Sequence, residues 1–118
     1  ILTSGKLYYD LSSERTRAGL RNVPILRVEQ LYPFPEEALA QALTRFPRLR
    51  DVVWAQEEAR NHGAWYAVRE RLEAALPSGT TLTYVGRPAM APTAIGDAVQ
   101  NAAEQFDIAR RALGVAAA

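Results

Sequence analysis

The chain contains no cysteine and only one histidine, His62. The first absence excludes disulfides, thiolate metal ligation and thiol catalysis. The second excludes a metal site built from several histidines. No apolar run approaches the roughly 20 residues that a membrane-spanning helix needs, and no secretory leader is visible. Charge of either sign is also lacking in excess. Fourteen Lys and Arg stand against 13 Asp and Glu, a net charge of +1, so nothing electrostatic calls for nucleic acid or an anionic membrane. The expected compartment is cytoplasmic.

What is present describes an ordinary globular domain. The content is 48% hydrophobic and 23% charged. Residues 1–118 are long enough for one domain with a real core. Ile1-Leu2-Thr3 reads as the end of a strand already under way, and the chain opens without methionine. The expectation is therefore a terminal, carboxyl-end piece of a larger multidomain protein.

Strand and helix patterns alternate along the chain. Ser4-Gly5 makes a turn, and a helix is predicted from Lys6 to about Arg17 on a weak face of Leu7, Tyr8 and Leu11, closed by Gly19. Val23 to Val28 forms a second strand, with Pro24 near its start where a missing N–H is tolerated. Leu31 to Pro35 is a loop stiffened by two prolines. Pro35, Glu36 and Glu37 suit the first turn of a helix that aligns Leu39, Ala42, Leu43 and Phe46 and stops at Pro47. A third strand spans Asp51 to Ala55, with a polar loop from Gln56 to Gly63. A helix carrying Trp65, Val68, Leu72 and Leu76 follows, then a turn at Pro77-Ser78-Gly79 and a strand from Thr81 to Val85. After a loop from Gly86 to Thr93, the last helix places Ile95, Val99, Ala102, Phe106, Ala109 and Leu113 on one stripe, and Ala116 to Ala118 fray.

Strands each followed by a helix imply an α/β fold, a parallel sheet with helices on both faces. Right-handed crossovers gather the loops at Ser4-Gly5, Leu31–Pro35, Gln56–Gly63 and Gly86–Thr93 on one edge, at the carboxyl ends of the strands. Glu57 and Glu58 are sequence neighbours pointing in different directions, so a structural or interface role outweighs an acid/base pair. His62 could be a general base, but no nucleophile motif surrounds it, and a solvated loop residue is the simpler reading. Ser4-Gly5-Lys6 lacks the other glycines of a phosphate loop. Arg87 could grip a phosphate or carboxylate, or equally anchor a neighbouring domain. Trp54, Trp65, Tyr32 and Phe34 read as core and interface.

Val28-Glu29-Gln30-Leu31-Tyr32-Pro33-Phe34-Pro35, then Val53 to Glu58 with Asn61 and Gly63-Ala64-Trp65, then Gly86-Arg87-Pro88-Ala89, resemble the carboxyl-terminal domain of 2-oxoglutarate dehydrogenase, the thiamine-diphosphate-dependent, decarboxylating first component. Ser4-Gly5-Lys6 with Tyr8, Tyr9 and Asp10 fits the opening of the same domain, and the matches run in order over about residues 1 to 105. The chain departs from the family pattern at Ala59, His62, Met90, Pro92, Thr93 and Asn101.

The resemblance implies a three-layer α/β/α sandwich like the transketolase carboxyl-terminal domain, with a mostly parallel open sheet and an antiparallel edge strand ahead of the first strand seen here. It implies a parent enzyme in the citric acid cycle that decarboxylates 2-oxoglutarate and passes the succinyl unit to a lipoyl group of the dihydrolipoamide succinyltransferase complex. Thiamine diphosphate and Mg2+ would sit in the preceding domains, with no cofactor, metal or catalytic residue in this one. Interface or regulatory candidates are Tyr32, Phe34, Gln56, Glu57, Glu58, Asn61, Trp65 and Arg87, facing the preceding domains and a homodimer partner. The alternatives are a regulatory nucleotide or acyl-CoA site using Arg60, Arg87 and Ser4-Gly5-Lys6, or the equivalent domain of another thiamine-diphosphate enzyme.

Overall fold

A computed structural model describes residues 1–90 and 98–115, with the side chains of residues 98–101 excepted. In order along the chain its elements are β1 (Leu2–Thr3), α1 (Leu7–Arg17), β2 (Leu26–Arg27), α2 (Glu36–Leu43), β3 (Asp51–Ala59), α3 (Trp65–Ala75), β4 (Thr81–Arg87) and α4 (Ala98–Ala112). The strands form one sheet in the order β2-β1-β3-β4, and every pairing is parallel. The alternating pattern therefore yields the expected fold class. The order reverses between β1 and β3, which places a switch point at their carboxyl ends, where open α/β sheets usually hold their functional groups.

The faces follow from the two-residue period of a strand. On β3, Val52 and Trp54 belong to a core that includes Leu39 and Leu43 of α2 and Val68 and Leu72 of α3. The next residue, Ala55, joins the opposite core with Leu7 and Leu11 of α1, Ile108, Ala109 and Ala112 of α4, and Leu113 just after it. α2 thus packs beside α3 under one face, and α1 beside α4 over the other. Gly19 closes α1 in the left-handed region at φ +70, and Leu20 N–H reaches back to Arg15 O at 3.1 Å.

Several predicted boundaries and faces move. β2 covers Leu26–Arg27, not Val23 to Val28, because it pairs only with the two residues of β1. Phe46 lies past the end of α2, in tighter turns in which Phe46 N–H reaches Leu43 O at 3.1 Å. The polar stretch Gln56-Glu57-Glu58 continues β3 instead of starting a loop, and Gly86-Arg87 continues β4. The register jumps from Ala55↔Val85 to Ala59↔Arg87, so β3 carries extra residues in a bulge and its polar side chains project beyond the apolar sheet. On α4, Ala102 and Phe106 are exposed, while Ile108 and Ala112 take the buried stripe with Ala109 and Leu113. Alanines at so many positions of that helix leave its buried face undetermined by periodicity alone. Ile95, Val99, Pro92, Thr93, Asn101 and Ala116 to Ala118 carry expectations that lie outside the described residues or side chains.

Candidate functional site

The carboxyl edge of the sheet is organised by one buried amide. Gln56 follows Trp54 by two residues on β3, so both side chains point toward α3. Its Oε1 accepts from Trp54 Nε1 at 2.9 Å and from the Trp65 backbone N–H at 3.0 Å. Its Nε2 donates to Ala59 O at 2.9 Å and Glu58 O at 3.3 Å. All four hydrogen-bonding positions of the amide are therefore engaged. The bond to Trp65 matters because Ala64, ahead of α3, offers no side-chain cap. Gln56 supplies that cap from across the fold, and its amide also bridges the bulge.

Gly63 makes this arrangement possible. A Cβ there would lie 2.6 Å from Gln56 Nε2 and 2.7 Å from its Cδ, so only glycine admits the amide. The buried Trp65 ring meets Tyr84 at 5.4 Å between centroids. The guanidinium of Arg60 lies 5.7 Å from the Trp65 ring and 4.9 Å from the Tyr84 ring. Tyr84 donates its hydroxyl to Arg87 O at 2.7 Å, and burial raises its pKa above the ordinary tyrosine value.

On the other face the charged groups brace α4. Arg87 Nε donates to Glu104 Oε2 at 2.7 Å, and its Nη1 donates to Glu57 O. Gln105 Nε2 donates to Glu57 Oε2 at 2.6 Å and to Asp10 Oδ2 at 3.3 Å, tying β3, α4 and α1 together. Asn61 and Met90 form a reciprocal pair, with Nδ2 donating to Met90 O and Met90 N–H donating to Oδ1, both at 3.1 Å. Gly5 N–H donates to Glu29 Oε1 at 3.1 Å, so the Ser4-Gly5-Lys6 turn presents one fewer free donor.

The sequence candidates therefore separate. Gln56, Glu57, Asn61, Trp65 and Arg87 come together in one cross-braced edge. Glu58 is exposed and contributes its backbone carbonyl, to which Tyr84 also donates at 3.4 Å. Phe34 packs partly buried against the core, whereas Tyr32 is 92% exposed at the loop tip. Gln30 Nε2 holds that loop through Pro33 O at 2.9 Å. His62 is exposed. Sequence reading missed Glu104, Gln105, Tyr84 and Met90 as members of the edge. A conspicuous Glu-Gln pair on the last helix was the available signal for two of them.

Among the described residues, no group of three or more His, Cys, Asp or Glu side chains could hold a metal ion. None of the described helices is long and apolar enough to cross a membrane. The fold and this edge define a parallel-sheet α/β domain whose conspicuous polar residues brace its own elements.

The model of the family "2-oxoglutarate dehydrogenase C-terminal" matches residues 1–113, and the chain belongs to that family. It is 46% identical over 96 residues to the 2-oxoglutarate dehydrogenase E1 component of Haemophilus influenzae, covering 81% of this chain and 10% of the relative. The E1 component of Azotobacter vinelandii is 42% identical over 118 residues, 98% of this chain and 12% of its own length. That of Geobacillus kaustophilus is 41% identical over 114 residues, 96% of this chain and 12% of its own. The chain thus spans about a tenth of the length of these relatives.

Proposed function

We propose that this chain is an interface domain of a 2-oxoglutarate dehydrogenase. It braces the preceding domains and a homodimer partner while the chemistry proceeds outside residues 1–118. The observation that carries this reading is that the polar groups at the sheet edge engage one another while Tyr32 stands free. Gln56 has no hydrogen-bonding position left, and Arg87 holds Glu104 and the Glu57 carbonyl. An aromatic ring standing 92% exposed on a proline-stiffened loop is the kind of pre-organised anchor that interfaces favour.

In the full enzyme, thiamine diphosphate with Mg2+ supplies the electron sink for decarboxylation of 2-oxoglutarate. Among the described residues, this edge offers neither a carboxylate cluster for the metal nor a guanidinium free of a carboxylate or aromatic contact for the diphosphate, so its donor set does not fit that group. The same commitment of Arg87, with Arg60 stacked on Trp65 and Tyr84, favours bracing over a nucleotide or acyl-CoA site at this edge. The enzyme would act in the cytoplasm, in the citric acid cycle, passing its succinyl unit to the succinyltransferase complex.

Two measurements test the reading. Full-length enzyme is expected to decarboxylate 2-oxoglutarate, whereas these 118 residues supplied with thiamine diphosphate and Mg2+ are expected not to. Turnover by the 118 residues alone overturns it. In the full enzyme, Tyr32→Ala is expected to weaken the dimer in sedimentation; an unchanged dimer removes Tyr32 as its anchor.

A further inference from the structure

The opposite edge of the sheet, at the amino-terminal ends of the strands, carries an apolar groove of about 900 Å³ with a basic rim. Phe46 and Leu49, in the turns after α2, line it together with Val23 and Val53, and all four are only partly buried. Arg21, Arg45 and Arg48 line it as well and are exposed. None of these three guanidiniums has an ion pair or hydrogen bond among the described residues. Most arginines elsewhere differ, although Arg15 donates only to the Val23 carbonyl, Arg60 meets only aromatic rings, and the Arg50 side chain likewise has no ion pair or hydrogen bond among the described residues. Arg17, Arg27, Arg69, Arg71, Arg87, Arg110 and Arg111 each contact a carboxylate. Among the described residues lining the groove the one carboxylate is Asp51, which accepts a hydrogen bond from Thr81 Oγ1 at 2.7 Å. Arg111 also lines the groove, but its guanidinium is held by Asp107 and the Gly86 carbonyl.

We infer that this groove docks an acidic, apolar-anchored segment of a neighbouring domain of the same polypeptide. The occupant follows from the two properties of the surface. A half-covered apolar floor gains by burial against apolar side chains, and unpaired guanidiniums around it attract carboxylates and orient them by bidentate pairing. Arginines exposed on a rim steer a segment across the groove, whereas a small anion calls for donors converging inside a pocket. The inference rests on the proposed reading of the chain as one domain of a longer enzyme, whose relatives carry the matching stretch as 10 to 12% of their length. It adds a second face, of opposite character to the Tyr32 edge.

Photo-crosslinking in the full-length enzyme tests it. A benzophenone amino acid replacing Leu49 is expected to capture a stretch rich in Asp and Glu from outside residues 1–118 of the same polypeptide. Arg45→Glu with Arg48→Glu should abolish that crosslink, and reversing the captured carboxylates to lysine should restore it. Both arginines are exposed, and circular dichroism of the doubly reversed enzyme checks that it folds. Capture of a different protein, of a non-acidic stretch, or of nothing overturns the inference. Decarboxylation of 2-oxoglutarate, measured on the unaltered full-length enzyme, reports separately on the proposed function. Its absence there removes that reading without altering where the crosslink maps.

Discussion

At the scale of single residues, two buried polar side chains carry more of the structure than their type indicates. Truncating Gln56 to alanine leaves Trp54 Nε1 and the Trp65 N–H without their partner, and each buried unsatisfied donor costs about 1 to 3 kcal/mol. Gln56→Ala is therefore expected to destabilise the domain by about 2 to 4 kcal/mol in urea unfolding. Gly63→Ala should cost about 1 to 3 kcal/mol by crowding the same amide, and less than that when combined with Gln56→Ala. Strict additivity of the two would separate the residues and contradict the packing described here.

Glu14 is the second such residue. It is buried on α1 between Arg17, whose Nε donates at 2.9 Å, and Arg110 of α4, whose Nη1 donates at 2.9 Å. The hydrogen bond from Arg17 is the main reason its pKa lies below the ordinary carboxylate value, with the charges of Arg17 and Arg110 adding to it against the cost of burial. A carboxylate with a depressed folded-state pKa contributes stability above its unfolded pKa, and that contribution is lost as pH falls through the folded value. Glu14→Gln should therefore lower stability at neutral pH and flatten its acid dependence below about pH 4.3, the ordinary glutamate range. Parallel stability-against-pH curves for the two proteins would refute the assignment.

At the scale of elements, α4 is held in two different ways. Its later part packs Ile108, Ala109 and Ala112 into the core, while Glu104 and Gln105 attach the earlier part through Arg87, Glu57 and Asp10. Arg87 is 13% exposed, so its bonds are well shielded. Arg87→Ala should cost about 1.5 to 3 kcal/mol, the range for hydrogen bonds to charged groups. Its mark should be faster amide exchange at residues 102–107 than at 108–112. Uniform acceleration along the helix would mean that α4 opens as one unit.

The order of the elements was legible in the sequence because it rests on local signals. Pro35 with Glu36 and Glu37 announces α2, and Gly19 closes α1. The misread end of β3 has a tertiary cause. Gln56-Glu57-Glu58 resembles a loop because polar runs usually face water, yet here each side chain or carbonyl meets a partner from β4, α3 or α4. Likewise α1 looked weakly amphipathic because its buried stripe of Leu7 and Leu11 is completed by Glu14, a residue that counts as apolar only once its two arginines are in place.

At the scale of the whole molecule, the sheet has two edges of unlike chemistry. The carboxyl edge is internally cross-braced and presents Tyr32, while the amino edge keeps arginines that have no partner among the described residues around an apolar floor. Such an arrangement suits a domain that sits between neighbours, one at each end of its strands. By itself, the sequence determined the parallel α/β class, the element order, the family, and the gathering of the motif loops at one edge. Local periodicity, turn residues and crossover handedness decide the class, the order and the gathering, while the motif residues from Val28 to Ala89 carry the family resemblance. Only the tertiary structure decided that Gln56 and Arg87 brace the domain internally, and that Arg21, Arg45 and Arg48 share one groove. Partnership between distant charges depends on three-dimensional separation, and no pattern along the chain records that.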